Sequence, residues 1–486
     1  MSKNISSEKD NYFYITTTLP YINSEPHIGF AAEIIKADVI ARYQAQRGAT
    51  VFFNTGTDEH GLKIYQKAQE SGLTPQEYCD IYSEKFRPLK ESLNLSYTKF
   101  IRTTEPSHQA AAQEFWRRCL ASGDIYKKNY RVKYCVGCEM EKTDSDLEKG
   151  RCPLHPNAEL EIIDETNYFF RFSKYQAKLL DFYQTNPNFV VPASRYKEIK
   201  SFVSSGLQDF SISRLKEKMP HGVPVPDDDN QVMYVWFDAL VNYISTLGWP
   251  DNLEDFTKYW PGVQVCGKDN LRPQTAMWQA MLMSAGLPNS SQVLVFGFLT
   301  ANGQKISKSL GNGVDPFELV EKYGADAVRY YLLMEIAPFE DGDFSEEKFK
   351  LRYNADLANG LGNLSSRVSN LLEKNEIKTN CRVDLQDVGI VATVAGLEEK
   401  MKDYRFNEAL QILWEKIKET DEILTRTAPW KMTDAKAIAT TLQPLAQNIL
   451  NLAFLLEPFL PGASQKIQAQ FSADQIKKDA PLFLRL

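Results

Sequence analysis

The chain has 486 residues, 43% apolar and 24% charged, a globular composition that excludes intrinsic disorder and, with seven cysteines, a disulfide scaffold. Lys and Arg number 56 and Asp and Glu 63, a net charge of −7, which excludes a wholly basic nucleic-acid binder but leaves room for a local basic groove. The length predicts about three domains, at roughly 150 residues each.

No apolar run approaches the ~18 residues that cross a membrane. The opening MSKNISSEKD lacks the hydrophobic stretch of a secretory signal. Few and odd-numbered cysteines point to the reducing cytoplasm.

Residues 12–18 are aromatic and β-branched and stop at Leu19 and Pro20, which predicts a buried strand. Over 27–46, Ile28, Ala31, Ala32, Ile35, Val39 and Tyr43 recur at helical spacing, with Gly48 as a C-cap. A second strand at 51–53 and a polar turn over 57–61 complete a βαβ unit, hence a parallel sheet. Residues 118–224 break that rhythm and predict an insertion with its own fold. The α/β alternation resumes at 232–237, with strands at 263–266 and 292–296 around a helix over 275–285. Beyond 349 three apolar stripes at helical spacing, through Leu361, Leu413 and Leu452, predict a helical bundle.

Three short constellations carry chemistry. His27, Ile28 and Gly29 open the first helix at the C-terminal edge of the predicted sheet, where helix N–H groups donate to phosphate oxygens and a glycine admits a nucleotide. As a bare tripeptide it equally fits an N-cap histidine. Lys305, Ile306, Ser307, Lys308 and Ser309 place two mobile cations three residues apart in a loop near glycines, able to close on a polyphosphate. Alone, that motif also fits a solvated loop. Cys135, Cys138, Cys152 and His155 form two tight knuckles whose three thiolates and one imidazole suit tetrahedral zinc with no open position, a structural role.

The first and second of these, in this order on one α/β scaffold, resemble the two signatures of class I aminoacyl-tRNA synthetases. The words around them narrow the resemblance to the methionyl-tRNA synthetase family: Leu19, Pro20, Tyr21; Gly56, Thr57, Asp58, Glu59, His60, Gly61; Tyr234 through Leu240 as YVWFDAL; Gly267, Lys268, Asp269; and Asp326 through Tyr331 as DAVRYY. It spans about residues 12–460.

The resemblance implies a Rossmann-type parallel sheet interrupted by a zinc-containing connective insertion and followed by an all-α anticodon-binding bundle. Its implied partition is 1–117 and 225–298 for the catalytic halves, 118–224 for the insertion, 299–347 for the signature loop and stem-contact region, and 348–486 for the bundle. It implies ATP-dependent ligation of L-methionine to tRNA(Met) through methionyl-adenylate, without a covalent enzyme intermediate. ATP with Mg2+ would be held by His27, Gly29, Lys305, Ser307 and Lys308. Methionine would lie among Leu19, Tyr21, Asp58, Trp236, Tyr243 and Gln274. Asp58 would pair with its ammonium, or else cap the next helix; the aromatic walls would suit its polarizable thioether. Asn363, Arg367 and Trp430, exposed on the bundle, would read the anticodon. The zinc would be structural, with no part in the chemistry. With no dimerisation module after the bundle, a monomer is expected.

This chain departs from the family's usual pattern at Phe30, where a second histidine is normal, at Asn270 and Gln274 after Gly267, at Phe296 before Gly297, and at Leu240. Two rival readings follow: a paralogue with altered amino-acid preference, and a non-catalytic tRNA-binding protein.

Overall fold

A computed structural model describes residues 11–23, 25–138, 140–142, 144–301, 303–305 and 313–486. They divide into two compact units. The first comprises Val51–Arg87 and Tyr97–Val295 with the described residues up to Glu25; the second comprises Pro26–Thr50, Pro88–Ser96 and Phe296–Leu486.

The first unit is built on a six-stranded sheet in the spatial order Lys99–Arg102, Thr50–Thr57, Tyr12–Thr16, Val263–Gly267, Gln292–Phe296, Val190–Val191. Tyr12–Thr16 runs parallel to Val263–Gly267, Thr50–Thr57 to Lys99–Arg102, and Gln292–Phe296 to Val190–Val191. The second strand is thus longer than the three residues read from hydrophobicity. Its extension, Asn54 through Thr57, is buried despite its polar side chains, because Asn54 Nδ2 donates to Thr16 Oγ1 at 3.1 Å and the Thr55 hydroxyl meets that of Thr17 at 2.8 Å.

Against this sheet packs an aromatic core. Phe115 stacks on Trp278 at 5.4 Å, and Trp116 meets Phe237 edge-on at 5.2 Å. Burying each such side chain contributes about 1.5–3 kcal/mol relative to exposure.

The long strands Ile125–Cys135 and Glu161–Phe170 pair antiparallel from Ile125 opposite Phe170 to Tyr134 opposite Glu161. The cysteine knuckles therefore lie in the loop at the far end of a long hairpin. Two expectations change here. The segment read as a separate insertion also supplies Val190–Val191, the edge strand of the parallel sheet, a strand too short to carry any alternation. The stretch at 232–237 does not resume the parallel sheet. Asp228–Met233 joins a small antiparallel sheet with Pro224–Val225 and Ser213–Leu215, and Val235–Ala239 is a short helix.

The second unit contains the helix Ile28–Gln46, a three-stranded sheet of Gln304–Lys305, Leu299–Ala301 and Gly342–Phe344, and the C-terminal helices. The three apolar stripes fall in Asn363–Lys374 with the turns before it, Phe406–Thr427 and Ala435–Leu456. Val391–Lys402 and Pro461–Phe471 add two helices that the stripes did not mark. The regular step through Leu357 and Leu361 is broken by wide π-type turns over Tyr353–Gly362. There the Trp414 indole N–H takes the Asp356 carbonyl at 3.2 Å, a side chain inserted into the helical ladder.

Candidate active site

In the first unit Tyr21 and Asp58 follow the C-terminal ends of the parallel strands Tyr12–Thr16 and Thr50–Thr57, the edge where open α/β sheets bind ligands. Tyr21 and Asp58 pair as an isolated parallel bridge, the Asp58 N–H donating to the Pro20 carbonyl at 3.0 Å. Asp58 is 5% exposed. The next helix, Leu62–Glu70, takes Gly61 as its N-cap without a side-chain cap, so helix capping is not what Asp58 does there.

Along 231–240 Trp236 alone is not buried. Together with Tyr21 and Val136 it packs against Tyr134, Tyr234 and Val235. Leu19 is likewise partly exposed, next to the Pro20 carbonyl that holds Asp58.

Tyr243 and Gln274 sit deeper, each 2% exposed. The Gln274 amide donates to the Tyr243 hydroxyl, and its carbonyl accepts from Gln264 Nε2 at 3.0 Å. Tyr243 is further held by its own carbonyl, which accepts from Tyr14 Oη at 2.8 Å. Gln274 lies in a wide π-type turn, Pro273–Met277, whose carbonyls at Gln274 and Thr275 go to Gln279 Nε2 and Tyr183 Oη. Such turns re-aim single side chains and occur often at functional sites. Gln274 therefore contacts the tyrosine hydroxyl with its donor and the sheet with its acceptor.

The knuckle Cys135, Cys138, Cys152 and His155 is assembled, with its donor atoms all within 4.8 Å of one another. Cys138 Sγ lies 3.4 Å from Cys152 Sγ and 3.3 Å from His155 Nδ1, and Cys135 Sγ lies 3.7 Å from that nitrogen. Bonds of ~2.3 Å to sulfur and ~2.0 Å to nitrogen make tetrahedral edges of about 3.5–3.8 Å, within a few tenths of an ångström of these separations, so the donor set fits zinc. A Cβ at Gly137 would come within 2.5 Å of the His155 ring, which is why the knuckle carries glycine. Lys63 Nζ donates to the Gly137 carbonyl at 2.6 Å and lies 5.7 Å from the Tyr21 ring centroid. The loop that carries the four donors is thereby tied to Tyr21.

In the second unit, His27 is the N-cap of the helix Ile28–Gln46, its Nδ1 accepting from the Gly29 N–H at 3.1 Å. The Ile28 N–H donates to the Val314 carbonyl at 3.1 Å, and the N–H groups of Phe30 and Ala31 go to the His27 carbonyl. The expectation of helix N–H groups left over for phosphate is thus corrected: all four are engaged within the chain. Gly29 serves first to admit the imidazole, since a Cβ there would lie 2.9 Å from His27 Cε1. With Nδ1 accepting, Nε2 is the ring nitrogen that carries the proton. The Ile28–Val314 bond brings the first signature to the chain segment leaving the second. Lys305 ends the strand Gln304–Lys305; Ser307 and Lys308 lie outside the described residues.

On the helical tail Trp430 is 47% exposed, and the Arg367 guanidinium carbon stands 5.6 Å from its ring centroid. Arg367 is not a freely exposed side chain as expected: its Nη1 meets Asp421 Oδ1 at 2.5 Å. Asn363 begins the same helix, Asn363–Lys374, and is partly exposed.

The residues that motif reading did not single out are the neighbours of Asp58. Glu59 is fully buried and takes Arg102 in a two-pronged ion pair at 2.7 and 2.9 Å. His60 Nδ1 meets Asp238 Oδ2 at 2.5 Å, while His108 Nε2 meets Asp238 Oδ1 at 2.8 Å. The clue was present in the words themselves, since a charged pair amid apolar residues must find partners.

A family model described as "tRNA synthetases class I (M)" matches residues 13–369. A methionine–tRNA ligase of Nostoc sp. is 42% identical over 484 residues, covering 96% of this chain and 91% of its own length. That of Thermosynechococcus vestitus is 44% identical over 476 residues, covering 94% and 90%. Among solved structures, Mycobacterium tuberculosis methionyl-tRNA synthetase in complex with methionyl-adenylate superposes with a TM-score of 0.91 at 36% identity, over 98% of this chain and all of that one.

Proposed function

The chain belongs to the class I methionyl-tRNA synthetases, and from that membership we propose how its own residues divide the work. It is an ATP-dependent ligase that joins L-methionine to tRNA(Met) through methionyl-adenylate. In the first step the methionine carboxylate oxygen bonds to the α-phosphorus, and the bond from that phosphorus to the bridging oxygen breaks, releasing pyrophosphate. In the second the acyl group passes to the terminal ribose of the tRNA and AMP leaves. Catalysis is positioning plus electrostatics, with no enzyme nucleophile.

Asp58 receives the ammonium, and Leu19, Tyr21, Trp236 and Tyr243 surround the thioether. Gln274 acts through Tyr243, fixing the direction of its hydroxyl. His27 donates Nε2–H to a phosphate oxygen, while Lys305, Ser307 and Lys308 take the leaving phosphates. Mg2+ carried with ATP would supply further neutralisation of phosphate charge. Cys135, Cys138, Cys152 and His155 would hold a structural Zn2+. Arg367, oriented by Asp421 and lying beside the Trp430 ring, would read the anticodon with Asn363. On this reading 1–117 and 225–298 are the catalytic halves, 118–224 the connective insertion, 299–347 the signature region and 348–486 the anticodon-binding helices. The enzyme would act as a cytoplasmic monomer; among the described residues no helix is long and apolar enough to cross a membrane.

The observation that carries the catalytic assignment is the Ile28–Val314 hydrogen bond, which supports joint use of two signatures far apart in the chain. The test is ATP–pyrophosphate exchange with each of the twenty amino acids, followed by Lys305→Ala. Exchange with methionine alone, slowed at least a hundredfold by the substitution, is expected. Exchange with a different amino acid would make the chain a paralogue of altered preference. No exchange at all would make it a non-catalytic tRNA binder.

A further inference from the structure

Of the five histidines in the chain, three converge in the first unit on one buried carboxylate or its immediate neighbours. Asp238, fully buried in the short helix Val235–Ala239, accepts from His60 on one oxygen and from His108 on the other. His108, on the helix Pro106–Ala121, meets Ser245 Oγ with its remaining nitrogen at 2.9 Å. His221 packs edge-on against the His60 ring at 5.1 Å, and its Nε2 meets the Glu59 carbonyl at 2.8 Å.

Burying a carboxylate costs several kcal/mol unless it is paired and hydrogen-bonded, so a group so placed needs a reason. A second metal centre is not the reason: among the described residues the one cluster able to hold a metal is the knuckle. General acid–base catalysis is not the reason either: adenylate formation transfers no proton, and Asp238 and His108 have no exposed surface with which to take the one that the ribose hydroxyl gives up in the second step. What the cluster does occupy is the junction of the two elements that bear the methionine pocket. His60 stands two residues beyond Asp58, and Asp238 two residues beyond Trp236.

We propose that Asp238, clasped between His60 and His108, is a positioning residue that sets the spacing between Asp58 and Trp236. The clasp holds the carboxylate for the substrate ammonium and the aromatic wall for its thioether in one register. It rests on the pocket assignment made above and adds the device that keeps the pocket in shape. Asp58 is thereby held from both directions. Its N–H is tied to Pro20, beside Tyr21, and through His60 it is tied to the helix of Trp236. The pocket can then discriminate by shape, since a displacement of about 1 Å in a binding group costs as much as a hundredfold in rate.

Exchange kinetics on the full chain test this, with KM for methionine and for ATP measured separately. Asp238→Asn and His60→Ala are expected to raise the methionine KM at least tenfold while the ATP KM stays within twofold. His60→Asn, whose amide nitrogen can donate from nearly the position of Nδ1, is expected to bring the methionine KM back to within about threefold of the parent. The His60 pair keeps the test open if Asp238→Asn does not fold. A methionine KM unchanged in both Asp238→Asn and His60→Ala would overturn the clasp, as would methionine and ATP KM rising together. Asp58→Asn separates the two levels. If it raises the methionine KM and the clasp variants do not, the positioning role alone falls. If it leaves that KM unchanged, the pocket assignment falls and the clasp with it.

Discussion

His221 shows how much a single side chain can report. Burial, and then the neighbouring His60, push its pKa down to about 4 from an ordinary 6.5. The folded protein therefore keeps His221 neutral over a range where the unfolded chain binds a proton. Stability from this group is unaffected above about pH 6.5 and is lost progressively as the pH falls from there to about 4, roughly 3 kcal/mol in all. Thermal melts of the parent should fall across that window, and those of His221→Gln should fall less steeply. Parallel slopes would refute the assignment. At Asp238 the carboxyl also belongs to the acid range: burial would raise it, but His60 and His108 together hold it well below the usual carboxylate value. Motif reading found Asp58 through its word, but it could not rank Glu59, His60 and Asp238. Their partners come from distant elements.

At the scale of elements, the long hairpin and its knuckle are the clearest case of local sequence dictating local structure. Cys135 and Cys138 fall at the end of a strand, and Cys152 and His155 return within the loop before its partner strand, so four donors converge without any distant contact. Because structural zinc contributes folding energy outright, chelation should make 136–155 the first segment cut by a protease, before the aromatic core opens. Unchanged resistance there after the metal is removed would contradict the structural role. The same hairpin shows what pattern reading cannot see. Lys63, from another helix, reaches the Gly137 carbonyl, and only the folded arrangement makes a surface-patterned lysine a strut between the knuckle and Tyr21. The wide turns at Pro273–Met277 and Tyr353–Gly362 escaped for a related reason. Hydrophobic periodicity samples every third or fourth residue, and one additional residue in a turn is below what it resolves.

At the scale of the whole molecule, the second unit is organised around one buried ion pair. Arg329, fully buried, meets Asp38 at 2.7 Å and donates to the carbonyls of Leu93, Pro458 and Phe459. It thus joins three segments of the unit that are far apart in the chain. Burial would raise the Asp38 carboxyl, yet Arg329, Arg42 and the Ser96 hydrogen bonds hold it below its ordinary value. Its contribution is present above the unfolded pKa of about 3.9 and lost as the pH falls through the lowered folded one. Asp38→Ala, which strands a buried guanidinium, should cost roughly 3–5 kcal/mol, with little dependence on salt. Urea titrations at two ionic strengths would check this, and a loss under about 1 kcal/mol would show that the pair is dispensable.

From its residues alone the chain declared the α/β alternation, the apolar stripes of the tail, the cysteine–histidine knuckle and the two signatures. All of these rest on spacings of a few residues, which the geometry of strands, helices and chelating turns translates directly. Folding alone decided that His60 and His108 meet Asp238 across separations of 178 and 130 residues, that Arg329 finds Asp38, and that the N–H groups after His27 are already engaged. A buried polar group declares only that it needs a partner. Which partner it receives depends on loop closures over long stretches of chain, and local pattern carries no record of them.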